Sequence, residues 1–391
     1  MPTAPPIAAD PRESAPDPPT TSGSRLVSLD LFRGATIAAM ILVNNAGNGP
    51  DAYWPLQHAE WNGWTPADII FPFFLFIVGV AMAFSFSSRL KRGDSRRQLL
   101  RHAFRRGLIL FALGLFLNGF PNQYSLSSWR VYGILQRIAI CYVVTAVFAL
   151  WAHRRGWLIA AVGCLAGYWI LIRYVPVPGF GVPTHDIPLL DPDRNLAVWL
   201  DRKLLAGHLY DGTRDPEGII STIPAIATTL VGLITGDWLR GSSTGKRKVI
   251  AMVLFGLVGV GAGELCNPWL PINKNLWTSS FALLTAGLAL LCLALCYWVL
   301  DLKHWRGRWT TFFLVFGMNP IVAYVFAEVI SHILYRFSTA AGLSWEDVLY
   351  QNRFEPLASP ANASLLYAMC YVLVCWVAMW ALYRKRVFLK I

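Results

Sequence analysis

Long apolar runs are the feature that most constrains the fold of this 391-residue chain. A helix needs about 20 mostly apolar residues to cross a bilayer. Ten such runs lie at roughly 29–47, 67–88, 107–120, 131–151, 157–174, 218–238, 249–265, 277–299, 309–334 and 363–383, the third being short. Charged residues make up only 14% of the chain, whereas soluble domains hold about 25%. We therefore predict an all-α, polytopic transmembrane helix bundle with about ten spans.

The connections between these runs alternate in charge. One set is rich in Lys and Arg, at 89–106, 154–155, 240–248, 303–308 and 384–386. The other set is poor in cations, with none between Gly47 and Pro66 and one, Lys274, between Cys266 and Leu276. Because basic connections stay in the cytoplasm, we expect both termini to be cytoplasmic and His58 to lie on the outer side.

A long acidic connection, at about 175–217, belongs to the predicted outer side. A loop of this length is uncommon unless it has a function. It is either a solvated cap over the bundle or a lid that binds a cationic or hydroxyl-rich ligand.

The first 24 residues are rich in Pro, Ala, Ser and Asp. They contain no apolar stretch of the kind found in a cleavable signal peptide, so we expect a disordered cytoplasmic tail followed by one transmembrane domain at 25–391. Seven cysteines with no CxxC spacing indicate neither a disulfide framework nor a zinc site. The net charge is +12, but the basic residues that produce it lie between the spans, so it does not indicate nucleic-acid binding. The sequence also has no Walker A, GxSxG or HExxH motif, and we expect no metal cofactor.

A polar segment between the first two spans, from His58 to Asp68, is the strongest candidate for a site. Histidine titrates near neutral pH and can accept a proton. Trp61, Asn62 and Trp64 follow it closely, and aromatic faces beside polar groups suit a sugar ring. Asp68 is placed to orient the imidazole.

Several polar residues occur inside or at the ends of spans, where an unpaired polar group is costly. Asn44 ends the first span and either caps the helix or donates a hydrogen bond to an oxyanion. Arg33 either pairs with Asp30 or binds a phosphate. Arg137 lies inside the fourth span and should have a partner or line a wet cavity. Further candidates are Glu328 with His332, the segments Asn273–Asn275 and Asp215–Gly218 at the starts of two spans, and Asn319-Pro320, which interrupts the ninth span.

Seven ordered blocks make the chain resemble the heparan-α-glucosaminide N-acetyltransferase family of transmembrane acyltransferases. They are Ser28–Gly34, His58–Gly63 with Ala67-Asp68 and Phe71-Pro72, Leu135–Arg137, Asp215–Ile219, Asn273–Trp277, Gly317–Asn319 and Tyr383–Lys385. They extend from about Leu26 to the C-terminus.

The resemblance implies transfer of an acetyl group from cytoplasmic acetyl-CoA to an amino sugar of the glucosamine type on the outer side of the membrane. It places the family's essential histidine on His58 and its oxyanion asparagine on Asn44, with Asp68 as the third catalytic residue. Arg33, Arg137, Asn275 and Asn319 are the expected acetyl-CoA ligands, and Trp61, Asn62, Glu217 and Asn273 the expected acceptor ligands. We expect a bacterial inner-membrane protein, with a homodimer as one candidate assembly.

The alternative is an amino-sugar or N-acetylglucosamine transporter without acyl transfer. Ten spans, aromatic outer loops and buried charges suit a transporter as well. Many secondary transporters are built from two repeated halves with matching broken helices, and the sequence shows no such repeat.

Overall fold

The computed structural model describes residues 26–339 and 342–389, which form helices and connecting loops. The helices are α1 Val27–Asn44, α2 Ile70–Lys91, α3 Arg96–Gly119, α4 Ile134–Trp151, α5 Arg154–Tyr174, α6 Leu196–Leu204, α7 Thr222–Leu239, α8 Gly245–Cys266, α9 Ser279–Tyr297, α10 Arg308–Met318, α11 Pro320–Arg336, α12 Trp345–Arg353 and α13 Pro360–Arg384. A π-helical turn at Trp298–Leu302 continues α9. The predicted tail at 1–24 lies outside the described residues.

The predicted all-α class is confirmed for the described residues, and each of the ten predicted segments overlaps a helix. Within residues 26–339 and 342–389, eight helices are long and apolar enough to span a membrane: α1, α2, α4, α5, α7, α8, α9 with its π-helical turn, and α13. The pair α10 and α11, bent by 80° at Asn319, raises the number to nine if it is one broken span. Helix α3 does not meet this composition because five arginines lie in its first eleven residues.

Burial separates central from peripheral helices. In α2 and in α7, 67% of the most apolar 18-residue stretch is buried inside the protein, whereas in α8 the share is 17%. Side chains such as Leu254, Phe255 and Val258 on α8 are exposed. An exposed apolar surface on a long helix is what lipid contact requires, so α2 and α7 form the centre of the bundle and α8 faces outward.

The bundle has two ends, which we name from their residues. The His58 end is formed by the connections 45–69, 120–133, 175–221, 267–278, 337–339 and 342–359, several of which contact one another. Examples are the bonds from Asn273 Nδ2 to the Trp61 carbonyl (2.9 Å) and from Trp61 Nε1 to the Leu190 carbonyl (2.8 Å). The Arg33 end holds the remaining connections, and there the backbone N–H of Ser28 donates to Asp301.

Two glycines let α1 and α10 approach each other closely. A Cβ atom on Gly34 would overlap the carbonyl oxygen of Phe313, and one on Gly317 would overlap that of Asp30. This contact also presents the Gly317 carbonyl to Arg33, whose Nε donates to it at 2.8 Å. The close approach therefore fixes the break after α10 relative to α1.

We expect Gly34→Ala to lower the thermal stability of the detergent-purified protein, because backbone atoms rather than a movable side chain oppose the new methyl group. Overpacking of this kind costs about 1–3 kcal/mol. Gly163→Ala in α5 is the matched control, since nothing lies within 4 Å of a Cβ there. Differential scanning fluorimetry compares the two, and equal melting temperatures for both variants and the unmodified protein would contradict the tight contact.

Candidate active site at the His58 end

A buried aspartate organises the connection between α1 and α2. Asp68 lies two residues before the start of α2, and its side chain is 0% exposed. Its Oδ2 accepts hydrogen bonds from the backbone N–H groups of Thr65 (2.9 Å) and Ala59 (3.1 Å). Its Oδ1 lies 2.7 Å from His58 Nδ1. One carboxylate thus fixes both the path of the loop and the orientation of the imidazole.

The charge of Asp68 decides which ring nitrogen of His58 carries hydrogen. Burial alone would raise the pKa of the Asp68 carboxyl, but the hydrogen bond from His58, the charge of Lys274 and the Ala59 N–H outweigh it and lower that pKa to about 2. An ionised carboxylate only accepts hydrogen bonds, so Nδ1 is the donor. In neutral His58 the Nε2 lone pair is then available, on a side chain that is 45% exposed.

Lys274 is the third charged group of this cluster. Its Nζ lies 2.9 Å from Nδ1 and 3.1 Å from Nε2 of His58, and 3.3 Å from Asp68 Oδ1. Its side chain is only 22% exposed. Burial lowers the pKa of Lys274, with Asp68 and Glu217 acting in the opposite direction.

The loop that carries Lys274 is held in place by its neighbour. Asn273 is fully buried, and its Oδ1 accepts from the N–H of Leu276 while its Nδ2 donates to the Trp61 carbonyl and to Asn62 Oδ1 (3.3 Å). The Gly63 N–H also donates to the Ile272 carbonyl at 2.7 Å. The predicted substrate residues Asn62 and Asn273 therefore lie together and join the two loops of the cluster.

A cavity of about 160 Å³ lies between the loop that carries His58 and the acidic connection. Its lining includes Glu60, Trp61, Tyr210, Asp211, Arg214 and Asn275. The Arg214 guanidinium lies 5.6 Å from the Trp61 ring centroid and pairs with Asp211 at 3.1 Å. Aromatic rings, carboxylates and a guanidinium around a small cavity suit a polar ring-shaped ligand. Asn275, expected as an acetyl-CoA ligand, thus lies in the same cavity as Trp61, expected as an acceptor ligand.

Glu217 belongs to a buried ion-pair network. Arg130 donates through Nη2 to Asp215 Oδ1 and to Glu217 Oε2, both at 2.7 Å, and through Nε to Asp215 Oδ2 at 2.8 Å. Its guanidinium lies 4.5 Å from the ring centroid of Tyr210. Glu217, a predicted acceptor ligand, is therefore paired with Arg130, and Arg130 also packs against the ring of Tyr210 in the cavity lining.

Arg137 is fully buried near the start of α4. Its Nη2 donates to the Pro216 carbonyl (2.9 Å) and to Ser221, and its guanidinium lies 5.0 Å from the centroid of the nearest Trp277 ring. Nε and Nη1 meet no acceptor within the described residues. Arg137 therefore fastens the acidic connection to the bundle at the His58 end.

Asn44 and Asn319 each contact another element. Asn44, exposed at the end of α1, places Nδ2 3.4 Å from Glu328 Oε1 on α11. His332, one turn on, lies 3.9 Å from Glu328 Oε2 as the sequence suggested. Asn319 donates to the Val387 carbonyl (3.0 Å) and accepts from the Leu389 N–H (2.9 Å), so it fixes the segment after α13.

Arg33 lines a separate cavity of about 120 Å³ near the opposite end. Its Nη2 donates to Asp30 at 2.6 Å, so the predicted pair forms. Arg106 lines the same cavity, with its guanidinium 4.8 Å from the Tyr142 ring centroid and a buried Nε that lacks an acceptor among the described residues. Two arginines thus face a cavity between α1, α2, α3, α4 and α11.

Three of these residues were not among the predicted site residues: Lys274, Arg130 and Arg106. Lys274 had a usable signal, since it is the single cation of an otherwise cation-free connection. Arg106 is one of several basic residues in a row, and Arg130 stands in a short connection without a motif. Their roles depend on contacts between distant segments.

Known proteins are similar to this chain along most of its length. Residues 25–262 match the family described as heparan-alpha-glucosaminide N-acetyltransferase, catalytic. The heparan-alpha-glucosaminide N-acetyltransferase of Homo sapiens is 31% identical over 94% of this chain and 60% of the human protein. The enzyme of Mus musculus is 30% identical over 99% of this chain and 64% of its own length. The chain spans slightly less than two thirds of the length of these two relatives. Because residues 25–262 match the family, the chain belongs to the heparan-alpha-glucosaminide N-acetyltransferase catalytic family.

Proposed function

We propose that this protein is a transmembrane N-acetyltransferase that moves an acetyl group from cytoplasmic acetyl-CoA to an amino sugar of the glucosamine type on the outer side of the membrane. The observation that carries the proposal is the Asp68–His58–Lys274 cluster beside an aromatic cavity, in a chain of this family. The names of the two relatives supply the reaction class and the acceptor class.

The chemistry requires a base for the acceptor. A protonated amine has no lone pair and must lose its proton before it attacks a thioester carbonyl. His58 accepts that proton at Nε2, because Asp68 holds Nδ1 as a donor. The amine nitrogen then bonds to the carbonyl carbon, the carbon–sulfur bond breaks, His58 gives its proton to the departing CoA thiolate, and the second proton of the acceptor nitrogen is released to water. In a two-step version, Nε2 itself attacks the thioester and expels the CoA thiolate, which takes a proton from water. A neutral amine then takes the acetyl group from Nε2 and releases its extra proton to water.

Negative charge develops on the carbonyl oxygen in either version. Asn44 is the proposed donor to this oxyanion, through its Nδ2 hydrogens. In the resting structure Nδ2 faces Glu328, and this contact holds the carboxamide at the end of α1. The oxyanion of the tetrahedral intermediate would accept a hydrogen bond from one of the two Nδ2 hydrogens of Asn44.

The proposed donor path extends along α1. Arg33 and Asn44 are eleven residues apart, which corresponds to about 16 Å along a helix. The cavity with Arg33 and Arg106 suits the anionic part of acetyl-CoA, and the pantetheine arm would extend from there toward Asn44. Arg137, Asn275 and Asn319 remain predictions as acetyl-CoA ligands, and the position of Asn275 beside Trp61 favours the acceptor instead.

The proposed acceptor site is the cavity beside His58. Trp61 and Tyr210 offer ring faces, and Glu60 offers a carboxylate to a protonated amine. Asn62, Asn273 and Glu217 support this cavity through the loop contacts and the ion pair with Arg130. The basic connections support a cytoplasmic Arg33 end. A bacterial inner membrane and a homodimer are further parts of the proposal.

A vectorial assay tests the function. Purified protein in liposomes would receive radiolabelled acetyl-CoA on one side and glucosamine on the other, and N-acetylglucosamine would be counted by chromatography. We expect product in the acceptor compartment only when both substrates are present. Uptake of labelled glucosamine or N-acetylglucosamine without acetyl-CoA, and no acetylated product, would replace the proposal with the transporter alternative.

A further inference from the structure

We infer that a groove at the Arg33 end, between α2, α4, α5 and α7, binds an anionic phospholipid, with the phosphate at a basic rim and an acyl chain along an apolar wall. The groove has a volume of about 410 Å³. It is distinct from the cavity of Arg33 and Arg106, since the two share no lining residue. We call it the Lys91 groove, and its proposed ligand takes no part in acetyl transfer.

Cations form the rim of the Lys91 groove. Lys91 and Arg240 line it at the ends of α2 and α7, and Lys91 is exposed. The lining also holds the carboxylate of Asp237, which pairs with Arg240 (Nη1 to Oδ1, 3.2 Å) and with Arg154 at the start of α5. Two arginines thus share this carboxylate and Lys91 adds a further cation, so the rim has an excess of positive charge that suits a phosphate group.

Arg240 keeps donors for a ligand. Its Nη1 donates to Asp237 and its Nη2 to the Ser87 hydroxyl on α2. A guanidinium has five N–H groups, so these two bonds do not exhaust it. They hold the side chain, which is 25% exposed, at the junction of α2 and α7. A phosphate at the rim can therefore accept from Arg240 without breaking either contact.

The wall of the groove is apolar. It consists of Ala83, Phe86, Leu90, Ala149, Trp157 and Leu233. Lys91 and Ala83 are eight residues apart on α2, so the wall extends about 12 Å along the helix from the rim. The Trp157 Nε1 already donates to the Phe148 carbonyl at 2.8 Å and needs no ligand oxygen. A wall of this kind suits a hydrocarbon chain, whereas a water-soluble phosphate ester has no apolar part to place there.

The groove also lies at the level of the bundle where headgroups are expected. The helices α2, α4 and α7 end there and α5 begins there, and all four are long and apolar enough to be spans. Trp151 at the end of α4 is 48% exposed and Leu158 near the start of α5 is 57% exposed. Tryptophan is enriched at membrane–water interfaces, and basic pockets between spans on the cytoplasmic side bind anionic headgroups. A phospholipid carries both the phosphate and the chain to this level.

A photoreactive lipid tests the site. Phosphatidylglycerol with a diazirine in one acyl chain is added to the full-length protein in neutral detergent, and peptide mass spectrometry locates the crosslinks after irradiation. We expect crosslinks in the parts of α2 and α7 that line the groove. Unlabelled phosphatidylglycerol should displace the probe at a lower concentration than phosphatidylcholine does, and glycerol phosphate, which has the phosphate without the chains, should not displace it.

Three variants examine the rim, the wall and the background. Lys91→Met removes an exposed cation from the rim and should weaken probe binding about fivefold, the factor that corresponds to one basic residue beside an anionic lipid. Ala149→Leu fills part of the wall and should also reduce crosslinking in the groove. Lys246→Met is the matched control, since Lys246 is an exposed lysine of α8 at the same end that does not line the groove. Size-exclusion chromatography confirms that each variant is folded.

The possible outcomes are distinct. Groove crosslinks at the unmodified level in both folded Lys91→Met and folded Ala149→Leu would overturn the site. Equal displacement by phosphatidylcholine and phosphatidylglycerol would also overturn it, because that result marks ordinary contact with the bilayer. Displacement by glycerol phosphate as effective as that by phosphatidylglycerol would identify a soluble phosphate ester instead of a phospholipid. None of these results depends on whether the protein transfers acetyl groups, so the proposed function stands or fails separately.

Discussion

Replacing His58 with alanine should reduce acetyl transfer to glucosamine about 10²–10⁴-fold, the range expected when a general base is removed. Asp68 Oδ1 accepts from His58 Nδ1, so Nε2 is the ring nitrogen left to take the proton of the acceptor amine. The side chain is 45% exposed and lies in a loop, so its removal leaves the helix bundle intact. Radiolabelled acetyl transfer in membranes, at matched expression, measures the effect.

His185→Ala is the matched control for this experiment. His185 also lies in a connection at the His58 end and also pairs with an aspartate, with Nδ1 2.6 Å from Asp186 Oδ1. Its side chain is 83% exposed and lines none of the cavities described above. We expect its replacement to leave the rate within a few-fold of that of the unmodified protein. Activity of His58→Ala at that same level would remove His58 from the mechanism.

The two versions of the mechanism differ in what remains on the protein. With radiolabelled acetyl-CoA and no acceptor, the two-step version leaves label on the His58 peptide, and the single-step version leaves none. His58→Ala should carry no label at that peptide in either case. The label therefore separates a base from an acetyl carrier after the rate has shown that His58 is required.

The sequence predicted where the apolar helices lie, because each is a long apolar run, but eight or nine of the described helices, not ten, have the length and composition of a span. It also placed Asp68 beside His58, because ten residues in a tight polar loop leave few alternatives and the 2.7 Å contact agrees with that placement. The family resemblance put Asn44 in the site, and its contact with Glu328 on α11 could not be read from either segment alone. Sequence patterns describe a segment and its immediate neighbours.

Contacts between distant segments account for what the sequence did not reveal. Lys274 reaches His58 across 216 positions of the chain, and no periodicity links the two. Arg137 was expected to have a partner or to line a wet cavity, and it has a partner in the backbone of the acidic connection at Pro216. The need for a partner followed from physical chemistry, and only the fold could identify it.

Arg130→Met should destabilise the protein strongly. Asp215 is 0% exposed and Glu217 is 10% exposed at the side chain, and both carboxylates bind the same guanidinium. Removal of one partner from a buried ion pair typically costs about 3–5 kcal/mol, since the remaining charge is left without compensation. Here two carboxylates lose their cation in the segment that leads into α7, and thermal unfolding in detergent should show a clear drop in melting temperature.

Arg194→Met in the same connection is the control, because the Arg194 side chain is 46% exposed and pairs with Asp191, three residues earlier in the chain. Exposed pairs contribute about 0–1 kcal/mol, so its melting temperature should change little. Adding Asp215→Asn and Glu217→Gln to Arg130→Met should recover part of the loss, because the uncompensated charges disappear. If Arg130→Met and Arg194→Met melt together, the buried network does not stabilise the wall of the acceptor cavity. If instead only Arg130→Met loses stability, and with it the affinity for glucosamine, Glu217 supports the acceptor site through Arg130 and Tyr210, whose ring lies 4.5 Å from the guanidinium.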